Sequence, residues 1–78
     1  MISADEIKQR LELGIRDSKV TVTDMTGTQD HYDVTVISSA FEGVSMVERH
    51  RMVYAPLSDV MGGVLHALKL STKSPSEG

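Results

Sequence analysis

The chain contains no cysteine. That absence excludes a disulfide framework, a thiolate nucleophile and any zinc or iron-sulfur centre built on the chain's own sulfur, since each of these needs a cysteine thiolate. Soft-metal chemistry here has to borrow sulfur from another molecule. An excess of positive charge is missing as well. Eight Lys and Arg stand against 11 Asp and Glu, a formal charge of -3, and the pI is near 5.4. Counterion release by clustered Lys and Arg usually drives nucleic-acid binding, so the overall charge offers it no long-range attraction. The opening residues, Met1 to Lys8, carry Asp5 and Glu6 and no apolar run. They read as neither a signal peptide nor a membrane anchor, and the expected location is cytoplasmic. Motifs for catalysis are also absent: there is no Gly-rich phosphate loop, no serine elbow and no HExxH. The glycines at 14, 27, 43, 62, 63 and 78 are never three apart, so the GxxG clamp that grips a nucleic-acid backbone is not there. The chain is expected not to be an enzyme.

With 78 residues, of which 40% are hydrophobic and 24% charged, the chain has the makeup of one globular domain and too little length for two cores. A core of this size nets roughly 3–5 kcal/mol without a metal, a disulfide or a partner. The expected organisation is a single domain over residues 1–72 and a polar tail over 73–78 that contains Pro75.

Local patterns give the order of elements. Ser3-Ala4-Asp5-Glu6 has the form of a capping box, in which a serine hydroxyl accepts from the amide three residues on and the glutamate reaches back. Ile7, Leu11 and Ile15 follow at helical spacing and Gly14 marks the stop, which predicts a helix over Ala4 to Gly14. Lys19 to Thr23 alternates at period two, and so does Tyr32 to Ser38, with Tyr32, Val34 and Val36 on one face. These predict two antiparallel strands joined by a polar loop, with His31 at the junction of loop and second strand. Ser45-Met46-Val47-Glu48 repeats the capping pattern after Gly43. A second helix is predicted from there, with Met46, Val53, Leu57, Val60 and Met61 on its buried stripe and Glu48, Arg49 and Arg51 turned mostly away. Pro56 should break it around Tyr54 and Ala55, by removing an amide and clashing with the preceding turn. Gly62-Gly63 ends the segment, and Val64 to Leu70 reads as a third strand with Leu68 and Leu70 inward and Lys69 outward. The fold class is therefore α+β, in the order α-β-β-α-β. Strands joined through a helix can run parallel, so a mixed three-stranded sheet with both helices on one face is expected.

Three separated blocks, Phe41-Glu42-Gly43, Arg49-His50-Arg51-Met52-Val53-Tyr54 and His66-Ala67-Leu68, resemble the signature of BolA-like proteins in order and spacing. The resemblance runs from Ile7 to about Thr72 and is closest to the short members with a histidine before the second strand. It implies a class II KH-like fold. It also implies a heterodimer with a monothiol glutaredoxin, sharing a bridging [2Fe-2S] cluster to which the partner contributes its active-site thiolate and a bound glutathione. The positions matching the family's metal ligands are His66, at the third strand, and His31, at the hairpin loop. The resemblance departs at the end, where many relatives continue with Thr-Pro and an acidic, tryptophan-containing segment; here the chain reads Lys73-Ser74-Pro75-Ser76-Glu77-Gly78.

Read from the residues alone, the plainer account of His66, in a strand with Leu68 and Leu70 inward, is a core histidine donating to a backbone carbonyl, and that of His31 an exposed loop histidine. Neutral imidazole is a competent iron ligand, and mixed cysteine and histidine ligation of two-iron clusters is established chemistry. His50 aligns with Met46, Val53 and Leu57 and reads as partly buried and structural. Arg49 and Arg51 are the candidate contacts for a phosphate or an acidic partner surface, with a solvated helix face as the plainer account. Two further associations are carried alongside: a DNA-binding regulator using the second helix and Arg49-His50-Arg51, and a homodimer. No membrane partner is expected.

Overall fold

The computed structural model describes residues 3–24, 31–61 and 67–77. Helix α1 spans Ala4–Gly14, followed by strands β1, Ser18–Asp24, and β2, His31–Ser38. A single 3₁₀ turn, Ser39–Phe41, leads to helix α2, Met46–Tyr54. A second 3₁₀ turn, Ala55–Leu57, precedes the short helix α3, Ser58–Met61, and strand β3, Ala67–Lys73. Pro56 thus divides the second helix where its missing amide requires, with the ring in the 3₁₀ turn.

The sheet has the order β1-β2-β3, with β1 antiparallel and β3 parallel to β2. Tyr32, Val34 and Val36 of β2 are fully buried and join Ile7, Leu11, Val20, Phe41, Val53 and Leu57 in one core. Period-two alternation directs those strand residues to one face, the face that α1 and α2 cover. Leu68 and Leu70 pack against the same core and Lys69 is exposed, as the alternation predicts.

Both serine caps are present: Ser3 Oγ accepts from the Glu6 amide at 3.1 Å and Ser45 Oγ from the Glu48 amide at 3.3 Å. The glutamates do something else than reach back. Glu6 takes Arg10 and Glu48 takes Arg51, because a charge-assisted bond to guanidinium is stronger than one to a neutral amide. Gly43 has φ +71, a conformation open to glycine, at the turn into α2.

Three expectations need correction. Strand β3 is described from Ala67 and runs beyond Leu70 to Lys73; residues 62–66, where the strand was expected to begin, lie outside the described residues. Met46 is 55% exposed instead of buried. It begins α2 and overhangs the core, where its Sδ accepts from the Thr72 hydroxyl at 3.3 Å. Arg49, expected on the outward face, is buried at 6% exposure, because it stands one turn before Val53 on the stripe that meets the sheet.

The closing residues are not a loose appendage. Thr72 and Ser74 are buried, and Glu77 Oε1 accepts from the Ser74 amide at 2.7 Å and from its hydroxyl at 2.8 Å. Ser76 Oγ meets Glu42. The turn formed by these bonds packs back onto the start of α2.

Candidate functional site

The parallel ladder between β2 and β3 starts with His31 paired to Ala67. The β1–β2 ladder ends one position earlier, at Asp24 with Tyr32, so His31 sits at the tip of the sheet, at the end where β3 enters. What holds it there is its neighbour: Tyr32 is fully buried and register-paired with Leu68. A bulky aromatic locked in the core leaves the adjoining backbone little freedom. His66 precedes Ala67 in the sequence and lies outside the described residues, as does the hairpin segment 25–30.

Among the described residues no group of three His, Cys, Asp or Glu side chains could hold a metal ion.

The elements leading to this end are tied together by Arg10. From α1 it donates Nε to Glu6 at 3.1 Å and Nη1 to Asp59 of α3 at 2.5 Å, and also reaches the Pro56 carbonyl at 3.5 Å. The hydrogen bond from Arg10 holds the Asp59 carboxyl below the usual carboxylate range, and Asp59 in turn raises the guanidinium. The link joins α1 to the last helical turn before the segment that carries His66 in sequence. Nothing local predicts it, since the partners stand 49 residues apart.

The second helix offers less to a ligand than its sequence suggests. Arg49 Nε donates to the Val44 carbonyl at 2.8 Å, and Nη1 to Glu77 at 2.7 Å and the Thr72 carbonyl at 3.5 Å. Its guanidinium also lies 5.7 Å from the centre of the Phe41 ring. A side chain so engaged is a structural tie, with Nε and Nη1 both committed within the chain. Arg51 is exposed and bonded to Glu48 at 2.9 Å. His50 is half-buried and meets Tyr54 edge-on at 6.5 Å, in keeping with a packing role. A sequence signal for Arg49 exists in retrospect: it falls four residues before Val53 and eight before Leu57, in line with both.

Among the described residues no helix is long and apolar enough to cross a membrane.

Comparison with known proteins places these features in context. The family model described as BolA-like protein matches residues 8–77. Protein RP812 of Rickettsia prowazekii (strain Madrid E) is 33% identical over 73 residues, covering 94% of this chain and 95% of that one. Human BolA-like protein 1 is 43% identical over 51 residues, 65% of this chain and 37% of the human protein. The match therefore spans little more than a third of that relative's length. The solved structure of BolA1 from Arabidopsis thaliana superposes with a TM-score of 0.88 at 29% identity, covering 100% of this chain and 99% of that one.

Proposed function

The chain belongs to the BolA-like protein family, and from that premise we propose that it is a non-enzymatic adaptor. In this reading it pairs with a monothiol glutaredoxin and co-ligates a bridging [2Fe-2S] cluster through His66 and His31, for iron-sulfur trafficking or iron regulation. The observation that carries the reading is the pairing of His31 with Ala67. Paired strands lie about 4.8 Å apart, so the His31 backbone stands beside the described start of β3, the residue that follows His66 in the sequence.

The donor set agrees with a shared site. The chain has three histidines and no cysteine, and His50 is used against Tyr54. Two imidazoles from this chain leave the remaining positions to thiolates, which the partner and glutathione supply. When bound, the cluster supplies an exchangeable iron-sulfide core, and imidazole ligation in place of thiolate raises its potential. The protein's own contribution is to hold the His31 backbone at a sheet end fixed by buried Tyr32, and the ligand it would offer there is neutral imidazole.

The test is a titration of the chain into a monothiol glutaredoxin carrying a [2Fe-2S] cluster and glutathione, followed by visible absorption and circular dichroism. The expected result is a saturable change in the cluster's bands, lost on His66→Ala and weakened on His31→Ala while far-ultraviolet dichroism stays native. Unaltered bands across the titration would overturn the reading.

A further inference from the structure

Among the described residues nothing covers the face of the sheet turned away from the helices, and that face concentrates positive charge in a chain that is acidic as a whole. We propose that this face docks an acidic segment of a partner protein. The proposal is independent of the cluster-binding reading, because it concerns different residues and requires no metal.

Register fixes the arrangement. Lys19 of β1 pairs with Ile37, which pairs on its other side with Lys73 of β3. The next row is Thr21, Thr35 and Ser71, all hydroxyls. Beyond it Lys69 pairs with Asp33. The buried set of β2, Tyr32, Val34 and Val36, points the other way, so these rows belong to the helix-free side. Lys19, Thr21, Lys69 and Lys73 are exposed.

Three of the chain's four lysines therefore share one face with a single aspartate, while the chain as a whole carries -3. The remaining surface is more acidic than the total. The arginines are spent differently: Arg10, Arg49 and Arg51 all have carboxylate partners. Among the described residues none of the three lysines has an ion-pair partner. Unpaired ammonium groups around a row of hydroxyls offer donors to oxyanions, with Asp33 beside Lys69 as the one carboxylate in these rows.

Size and chemistry select the occupant. Lys19 and Lys73 are two strand spacings apart, roughly 10 Å, and Lys69 and Lys73 are roughly 13 Å apart along β3. That area fits a few carboxylates on one short segment. A nucleic-acid strand would extend past the patch in a chain that is acidic overall, and these rows hold no Phe, Tyr or Trp ring on which a base could stack. A membrane would need apolar groups to insert, and Ile37 is the one large apolar residue in these rows. A second copy laid face to face would set lysines against lysines.

The experiment uses the full chain, ¹⁵N-labelled, titrated with hexaglutamate at low salt, and in parallel with a thymidine oligonucleotide of equal charge. Expected are fast-exchange amide shifts centred on Lys19, Thr21, Thr35, Ser71 and Lys73 with hexaglutamate, fading as salt rises. The triple variant Lys19→Gln, Lys69→Gln, Lys73→Gln should bind roughly tenfold more weakly; should it fail to fold, Lys19→Gln and Lys73→Gln are read singly. Shifts centred on the helices, equal binding by the variant, or tighter binding of the oligonucleotide would each overturn the proposal.

Discussion

The Arg49 guanidinium meets the Glu77 carboxylate at 2.7 Å across 28 residues of sequence. This bond fastens the final turn of the chain to the start of α2. Glu77 is held down to about 2 from the usual 4.5, chiefly by the hydrogen bond from Arg49 and then by the Ser74 amide and hydroxyl. A carboxyl depressed on folding stabilises the native state in full above its unfolded value, and that contribution is lost as pH falls through the folded one. Glu77→Gln should therefore lower the melting temperature at neutral pH. The gap to the parent should close between pH 4.5 and about 2, as read from thermal midpoints against pH. Because the Glu77 side chain is 46% exposed, added salt should narrow the gap too. Arg49→Ala should cost more, about 2 kcal/mol, since it also strips the Val44 and Thr72 carbonyls of a charged donor.

Gly14 closes α1 against the Pro56 ring. A Cβ there would come within 2.5 Å of the proline Cγ and 3.1 Å of its Cβ. Alanine favours helix over glycine by about 1 kcal/mol, yet a rigid ring gives no room. Gly14→Ala should thus destabilise by about 1–3 kcal/mol. The double variant with Pro56→Ala should recover most of the loss, and chemical denaturation of the four proteins in the cycle measures the coupling.

The order of elements was legible from local patterns. Alternation marked β1 and β2, and the serine caps and Pro56 marked where helices begin and break, because each signal arises within a few residues. The Arg49–Glu77 bond was not legible, since an ion pair across 28 residues leaves no periodic trace. The same holds for Arg10 with Asp59. At the candidate site the histidines were nominated by likeness to a family, whereas the pairing of His31 with Ala67 depends on the register of a parallel crossover, which no local run of sequence encodes.

Leu57 is fully buried beside Val53 in the core. Leu57→Ala should cost about 2–5 kcal/mol. For a domain expected to net roughly 3–5 kcal/mol, that is most of the available stability. The variant should have a sharply lowered thermal midpoint, followed by near-ultraviolet dichroism.

The role of the two histidines is best decided by pulsed electron paramagnetic resonance on the reduced cluster, in the complex of glutaredoxin with chain labelled with ¹⁵N-histidine. Directly bound imidazole should give strong ¹⁵N hyperfine couplings, abolished by His66→Ala and diminished by His31→Ala. Complex formation with no such coupling, or couplings unaffected by both substitutions, would contradict ligation by this chain.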